Sequence, residues 1–184
     1  PAYPFSLGSG LVILAALLVF LLIKEPKEYE ASKAPPDLLE SLKEVLKGKE
    51  KSALLILMAI FFWFVAYNAI EAFFTLYVNK HLGQPESEGA RLLSQYSLIF
   101  VLFALPAGFI GSRFGRRKTI LTGLTIMSLS ILSLQFLSSS TLLTPLTKLP
   151  ILGVIPVLGL ILMFAGAGWA LININSLPMV VDMT

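Results

Sequence analysis

The 184-residue sequence has no cysteine, a single histidine, and charge at only 14% of its positions. Each shortage excludes something. Without cysteine there can be no disulfide and no thiolate metal site. The one histidine, His81, falls in a short polar loop, so the apolar segments hold no Ser/His, metal-ligating or paired-aspartate constellation for intramembrane catalysis. No Gly-x-x-x-x-Gly-Lys-Ser/Thr run is present to cradle a nucleotide, which excludes a nucleotide-driven pump. Soluble domains carry about 25% charged residues. With 56% hydrophobic residues and a mean hydropathy of +0.83, this chain is too apolar to be one. The short alternating segments of a membrane β-barrel are missing as well.

What is present is a series of apolar runs about 20 residues long, the length a helix needs to cross ~30 Å of hydrocarbon while satisfying its own backbone hydrogen bonds. We expect five, at about 5–23, 52–78, 90–110, 119–137 and 151–177, giving an all-α, polytopic membrane helical bundle. The lipid bilayer is its first partner. The chain starts at Pro1 with no basic segment ahead of its first apolar run, and it stops at Thr184 shortly after its last. With an odd number of spans, a fragment of a longer protein is expected.

Cations give the orientation. The loop 24–51 holds seven lysines and seven acids, Arg113 to Lys118 holds four cations, and only Lys80, Arg91 and Lys148 lie elsewhere. Alternate loops therefore carry eleven cations against three, which places 24–51 and 112–118 in the cytoplasm. The net charge of +3 is explained by that bias, and no nucleic-acid partner is required. Within the first of these loops Asp37, Glu40 and Gly48 bracket an apolar stripe of Leu38, Leu39, Leu42, Val45 and Leu46. This is the pattern of a capped amphipathic helix over 38–47, lying on the cytoplasmic face.

Two polar stripes interrupt the spans. In the second span Asn68, Glu71 and Thr75 share a face by their spacings of three, four and seven, with Tyr67 beside them. An ionisable group inside hydrocarbon is costly, so Glu71 should face a cavity or a partner. In the fifth span Trp169, Asn173 and Ser176 share a face, with Asn175 adjacent, after the small run Ala165-Gly166-Ala167-Gly168 that permits close helix approach. Gln95 lies near the outer end of the third span, and Pro106 should bend that helix ahead of the basic turn.

The turn itself, Gly108-Phe-Ile-Gly-Ser-Arg-Phe-Gly-Arg-Arg-Lys118, resembles the cytoplasmic signature of the major facilitator superfamily: Gly108, Ser112, Arg113, Gly115, Arg117 and Lys118 fall on its conserved positions, with Ser112 where the family prefers aspartate. The long loop before it resembles the linker between the sixth and seventh helices of that family. By this resemblance 1–23 is the sixth helix, 24–51 the linker, and 52–184 a C-terminal half truncated before its last two helices. The resemblance further implies secondary active transport by alternating access, with Gly108, Ser112, Arg113, Gly115, Arg116 and Arg117 as gating residues and no cofactor or metal. The missing N-terminal six-helix half would be a partner, together with a small solute and a coupling ion, in the cell membrane. Asn68-Ala-Ile-Glu71 and Trp169 through Pro178 are similar to stretches of sucrose-type and glycoside–cation symporters. That branch implies sugar–proton symport, with Tyr67, Asn68, Glu71, Thr75, Gln95, Trp169, Asn173 and Asn175 around the solute and cation. Proton-coupled efflux of a drug or metabolite by the same fold, and a non-transporting scaffold, are the alternatives.

Overall fold

The computed structural model describes residues 3–22, 51–150 and 153–182. The amphipathic helix expected at 38–47 lies outside the described residues. The chain forms two compact units that divide between Leu42 and Lys43. In the first unit α1 (Tyr3–Leu22) is an apolar helix whose side chains from Leu7 to Leu22 are all exposed. That is what lipid tolerates and water does not.

The second unit contains α2 (Ser52–Lys80), α3 (Glu86–Phe114), α4 (Arg116–Phe136), the single turn α5 (Ser139–Leu142), strands β1 (Pro145–Leu149) and β2 (Gly153–Pro156), and α6 (Val157–Val181). Four of these helices, α2, α3, α4 and α6, are long and apolar enough to cross a membrane. These four spans agree with the all-α membrane helical class expected from the sequence, and the apolar α1 belongs to the separate first unit.

Several boundaries differ from the sequence expectation, each for a local reason. Helix α3 begins at Glu86, where Glu86 and Glu88 sit in the first turn and favour the positive end of the helix dipole. It continues to Phe114, so the basic turn is not an eleven-residue hairpin but one residue, Gly115. Gly115 takes φ +94°, a conformation costly for any residue with a Cβ. Its N–H donates to the Gly111 carbonyl at 3.1 Å, and its own carbonyl accepts from the Thr119 N–H at 3.1 Å and the Thr119 hydroxyl at 3.0 Å. The chain leaves one helix and enters the next with its backbone satisfied.

The last span starts at Val157 rather than near 151, because Pro156 is its N-cap and a helix start is where a missing N–H does no harm. It also runs through Pro178, expected to end it, as far as Val181. At that depth the ring removes only one bond in the final two turns. The loop 138–150 is not irregular. Ser138 caps α5 by accepting from the Thr141 N–H at 3.3 Å, and β1 pairs antiparallel with β2.

Helix α6 is the centre of this unit. It packs against both α4 and α3, and its glycines decide how closely. A methyl at Gly123 of α4 would lie 2.6 Å from the Gly168 carbonyl oxygen, and one at Gly166 would lie 2.6 Å from that of Tyr96. Both are impossible contacts, so the backbones approach as only glycine permits. Around this contact Leu158, Leu162 and Ile172 of α6 are buried with Leu92, Ile120 and Met127, and Trp63, Phe74 and Val78 of α2 join them. Helix α2 packs mainly on α3.

Candidate functional site

The polar stripe of α2 reaches a narrow cleft on which α2, α3, α4 and α6 converge. Tyr67 and Glu71 of α2, Tyr96 and Ser97 of α3, Met127 of α4 and Ala165 of α6 are among its walls. The free space is about 30 Å³, on the scale of one water molecule. Glu71 is exposed at the cleft and Tyr67 is half-buried. The Tyr96 hydroxyl is buried there and makes no hydrogen bond. A buried hydroxyl without a partner costs about 1–3 kcal/mol, so it favours any polar group that enters.

Tyr67, in the wall of the cleft, belongs to an aromatic cluster. The Tyr67 ring stacks face to face on Trp169 at 4.2 Å with an interplanar angle of 2°, and Phe64 meets the same indole edge-on at 5.3 Å. Tyr67 also lies 6.4 Å from Tyr96. Trp169 is buried, and one of its faces is covered by Tyr67. Tyr67 thus stands between the carboxylate of Glu71 and the indole of Trp169, since positions 67 and 71 are one turn apart.

The remaining residues of the expected site are not gathered here. Asn68 is exposed, and its Nδ2 donates to the Phe64 carbonyl of its own helix at 2.8 Å. Thr75 lies against Gly89, where an added methyl would come within 3.0 Å of the Thr75 Cα. Gln95 is fully buried beside Gly159, where an added methyl would lie 2.6 Å from its Oε1. Asn173 is half-buried, with its carbonyl accepting from the Ser176 hydroxyl at 2.8 Å. Asn175 is buried, and its Nδ2 donates to the Ala107 carbonyl at 3.0 Å and the Leu171 carbonyl at 2.9 Å. It clasps α6 to α3. Conversely, Ser97 and Met127 line the cleft without having been singled out in the sequence. Among the described residues no group of three or more His, Asp or Glu could hold a metal ion.

A second constellation surrounds Gly115. Arg116 Nε lies 2.8 Å from Asp182 Oδ2, joining the start of α4 to the end of α6. Asp182 was not weighed from the sequence, although it is the only acid after Glu88. Ser112 is exposed and donates to the Phe109 carbonyl at 2.9 Å. Arg113 sits 5.8 Å from the Phe114 ring centroid, within cation–π reach. The two glycines on the α6 side of α3 are unequal. A methyl at Gly108 would make an ordinary 3.5 Å contact with Ile174, whereas one at Gly111 would lie 1.6 Å from Asn175 Oδ1. Only Gly111 is needed to make room for the Asn175 side chain.

This arrangement of apolar helices, a one-residue basic turn and a cleft at their convergence can be compared with known families. The family model of the Major Facilitator Superfamily matches residues 2–184. The chain belongs to the major facilitator superfamily. It is therefore a multi-pass membrane protein of a secondary-transporter family. Comparison with curated proteins and with solved structures gives no match. Gly108, Ser112 and Arg113 fall at the end of α3, Gly115 at the turn, and Arg117 and Lys118 at the start of α4.

Proposed function

We propose that the chain is part of a sugar–proton symporter working by alternating access, and that the cleft at Glu71 is its coupling site. The observation that carries this reading is one carboxylate, Glu71, and one unpartnered buried hydroxyl, that of Tyr96, on a cleft lined by Tyr67, whose ring is stacked in turn on Trp169. Sugar hydroxyls need paired donors and acceptors with an aromatic face to cover the ring. A space of about 30 Å³ holds no sugar, so this is a closed arrangement of the site. Opening it requires α2 to draw away from α3 and α6, and α2 is the less embedded helix. Unstacking Tyr67 would bare Trp169 to the solute while leaving Glu71 at the mouth to take or release the proton. Asn68, Thr75, Gln95, Asn173 and Asn175 would serve the solute or cation in other arrangements of the same helices.

In this reading the Gly115 turn is cytoplasmic, the 24–51 linker joins residues 52–184 to an N-terminal six-helix half whose last helix is α1, and the Arg116–Asp182 pair holds the inner ends of α4 and α6 in one state and releases them in the other. The test is Glu71→Gln in the full-length transporter in liposomes. Gradient-driven uptake should be lost while solute exchange at zero gradient persists. Unchanged gradient-driven uptake, or protons moving opposite to the solute as in efflux antiport, overturns the proposal.

A further inference from the structure

The β1–β2 hairpin has no role in the site above, and its composition is unusual for a loop in water. Strand β1 is exposed along its whole length. Lys148 and Val154 are direct cross-strand partners on one face of the hairpin, and exposed Leu146 sits at the register irregularity between Pro145 and Thr147 that precedes them. Leu146 is 52% exposed and Val154 42%. On the other face Ile155 is buried against the body. A two-stranded sheet is marginal by itself in water, yet this one is tied down. The Arg91 guanidinium, paired with Glu88, donates from Nη1 to the Val154 carbonyl at 2.7 Å, and the Val157 N–H donates to the Thr144 carbonyl at 3.0 Å. Fixed in this way, the hairpin holds an apolar face outward.

We propose that this hairpin is a membrane-interface anchor, seated in the glycerol and phosphate layer of the leaflet at the end of the bundle opposite Gly115, with Lys148 on a lipid phosphate. Three observations select lipid. The helices that the hairpin joins expose apolar side chains close in sequence to it, since Phe136 at the end of α4 is 78% exposed and Leu160 and Phe164 in the first turns of α6 are exposed too. The hairpin's one charge is a cation, and the sequence from Leu92 to Val181 contains no acid, so it complements phosphate. Its strands also carry Pro145 and Pro156, which lack the N–H that strand pairing with another chain needs. A lysine with a long apolar stem between two apolar side chains is suited to such a boundary, because its stem stays in the apolar layer while its ammonium reaches the headgroups. The anchor would fix the depth of the first turn of α6, which follows Pro156 directly.

The absence of cysteine makes the test direct. Leu146→Cys, Val154→Cys and Ser140→Cys are made singly in the full chain, spin-labelled, and reconstituted in vesicles of phosphatidylcholine and phosphatidylglycerol. Collision rates with molecular oxygen, which concentrates in hydrocarbon, and with a water-soluble nickel chelate are then compared. The proposal expects an oxygen-to-nickel ratio several-fold higher at 146 and 154 than at Ser140, which is exposed in the polar turn α5. A ratio equal to that of Ser140 means the hairpin is in water and overturns it. Exclusion of both reagents at 146 and 154 means that protein covers the face and overturns it equally. The readout needs no transport activity, so it stands or falls apart from the symport reading.

Discussion

Helices α2 and α6 are both apolar spans crossed by a polar stripe, yet they are built for opposite purposes. Of the most apolar stretch of α6, 56% is buried inside the protein, against 11% for α2. Helix α6 achieves this with glycine: Gly166 and Gly168 let two neighbouring backbones within contact distance, and Asn175 adds two hydrogen bonds, one of them across to α3. Helix α2 offers instead aromatic faces and a carboxylate, and meets α6 chiefly through the Tyr67–Trp169 stack. Flat stacked rings can slide and separate, whereas interlocked glycine contacts cannot move without a clash. The difference teaches that α6 is the closely packed helix of this unit and α2 the loosely packed one.

The largest effect that would break this contrast is at Gly111. Gly111→Ala would drive a methyl into Asn175 and should destabilise the α3–α6 pair by about 1–3 kcal/mol, as overpacking does. Gly108→Ala, with an ordinary contact awaiting it, should stay within about 0.5 kcal/mol of the parent. Thermal unfolding in detergent distinguishes the two, and equal effects would remove the case for a glycine-specific contact. A smaller loss, about 1 kcal/mol, is expected for Asn175→Leu, which gives up the bonds to Ala107 and Leu171 while keeping the volume. If its main consequence were instead lost solute affinity at unchanged stability, α6 would be contributing chemistry and not only a wall. The smallest effect on stability is expected at Arg116. Its pair with Asp182 is partly exposed, so Arg116→Ala should cost no more than about 1 kcal/mol. A turnover rate changed by this variant and restored by the swapped pair Arg116→Asp with Asp182→Arg would identify a gate, and an unmoved rate would leave the pair as a simple tether.

Much of this was legible from residue spacing because lipid imposes a simple rule. Every backbone group in hydrocarbon must be satisfied within its own helix, so the apolar runs had to be helices, and their number and order followed. The stripe at Tyr67 and Glu71 was legible for the same reason, since a carboxylate among apolar neighbours stands out. Fine boundaries were less so. A helix can extend past its apolar run where acids suit its first turn, as at Glu86 and Glu88, or where glycine closes its end, as at Gly115, and strands β1 and β2 lie where proline and threonine suggest only a loop. Gln95 and Asn175 looked like binding groups because each is polar in an apolar helix, but a polar side chain in a span can equally be turned inward onto a backbone carbonyl, and Asn175 is. Only the rotation of α3 and α6 about their axes decides between the two, and spacing within one helix does not contain that rotation.

The sequence by itself therefore determined the class of protein, the spans and the basic turn, all of which follow from hydrophobicity and charge read along one chain. The tertiary structure alone decided that Gly111 and not Gly108 makes room for the Asn175 side chain, that Tyr67 covers Trp169, and that Tyr96 shares a cleft with Glu71. Those facts depend on which faces of separate helices meet, and helices meet where glycine and ring shapes allow their backbones to approach.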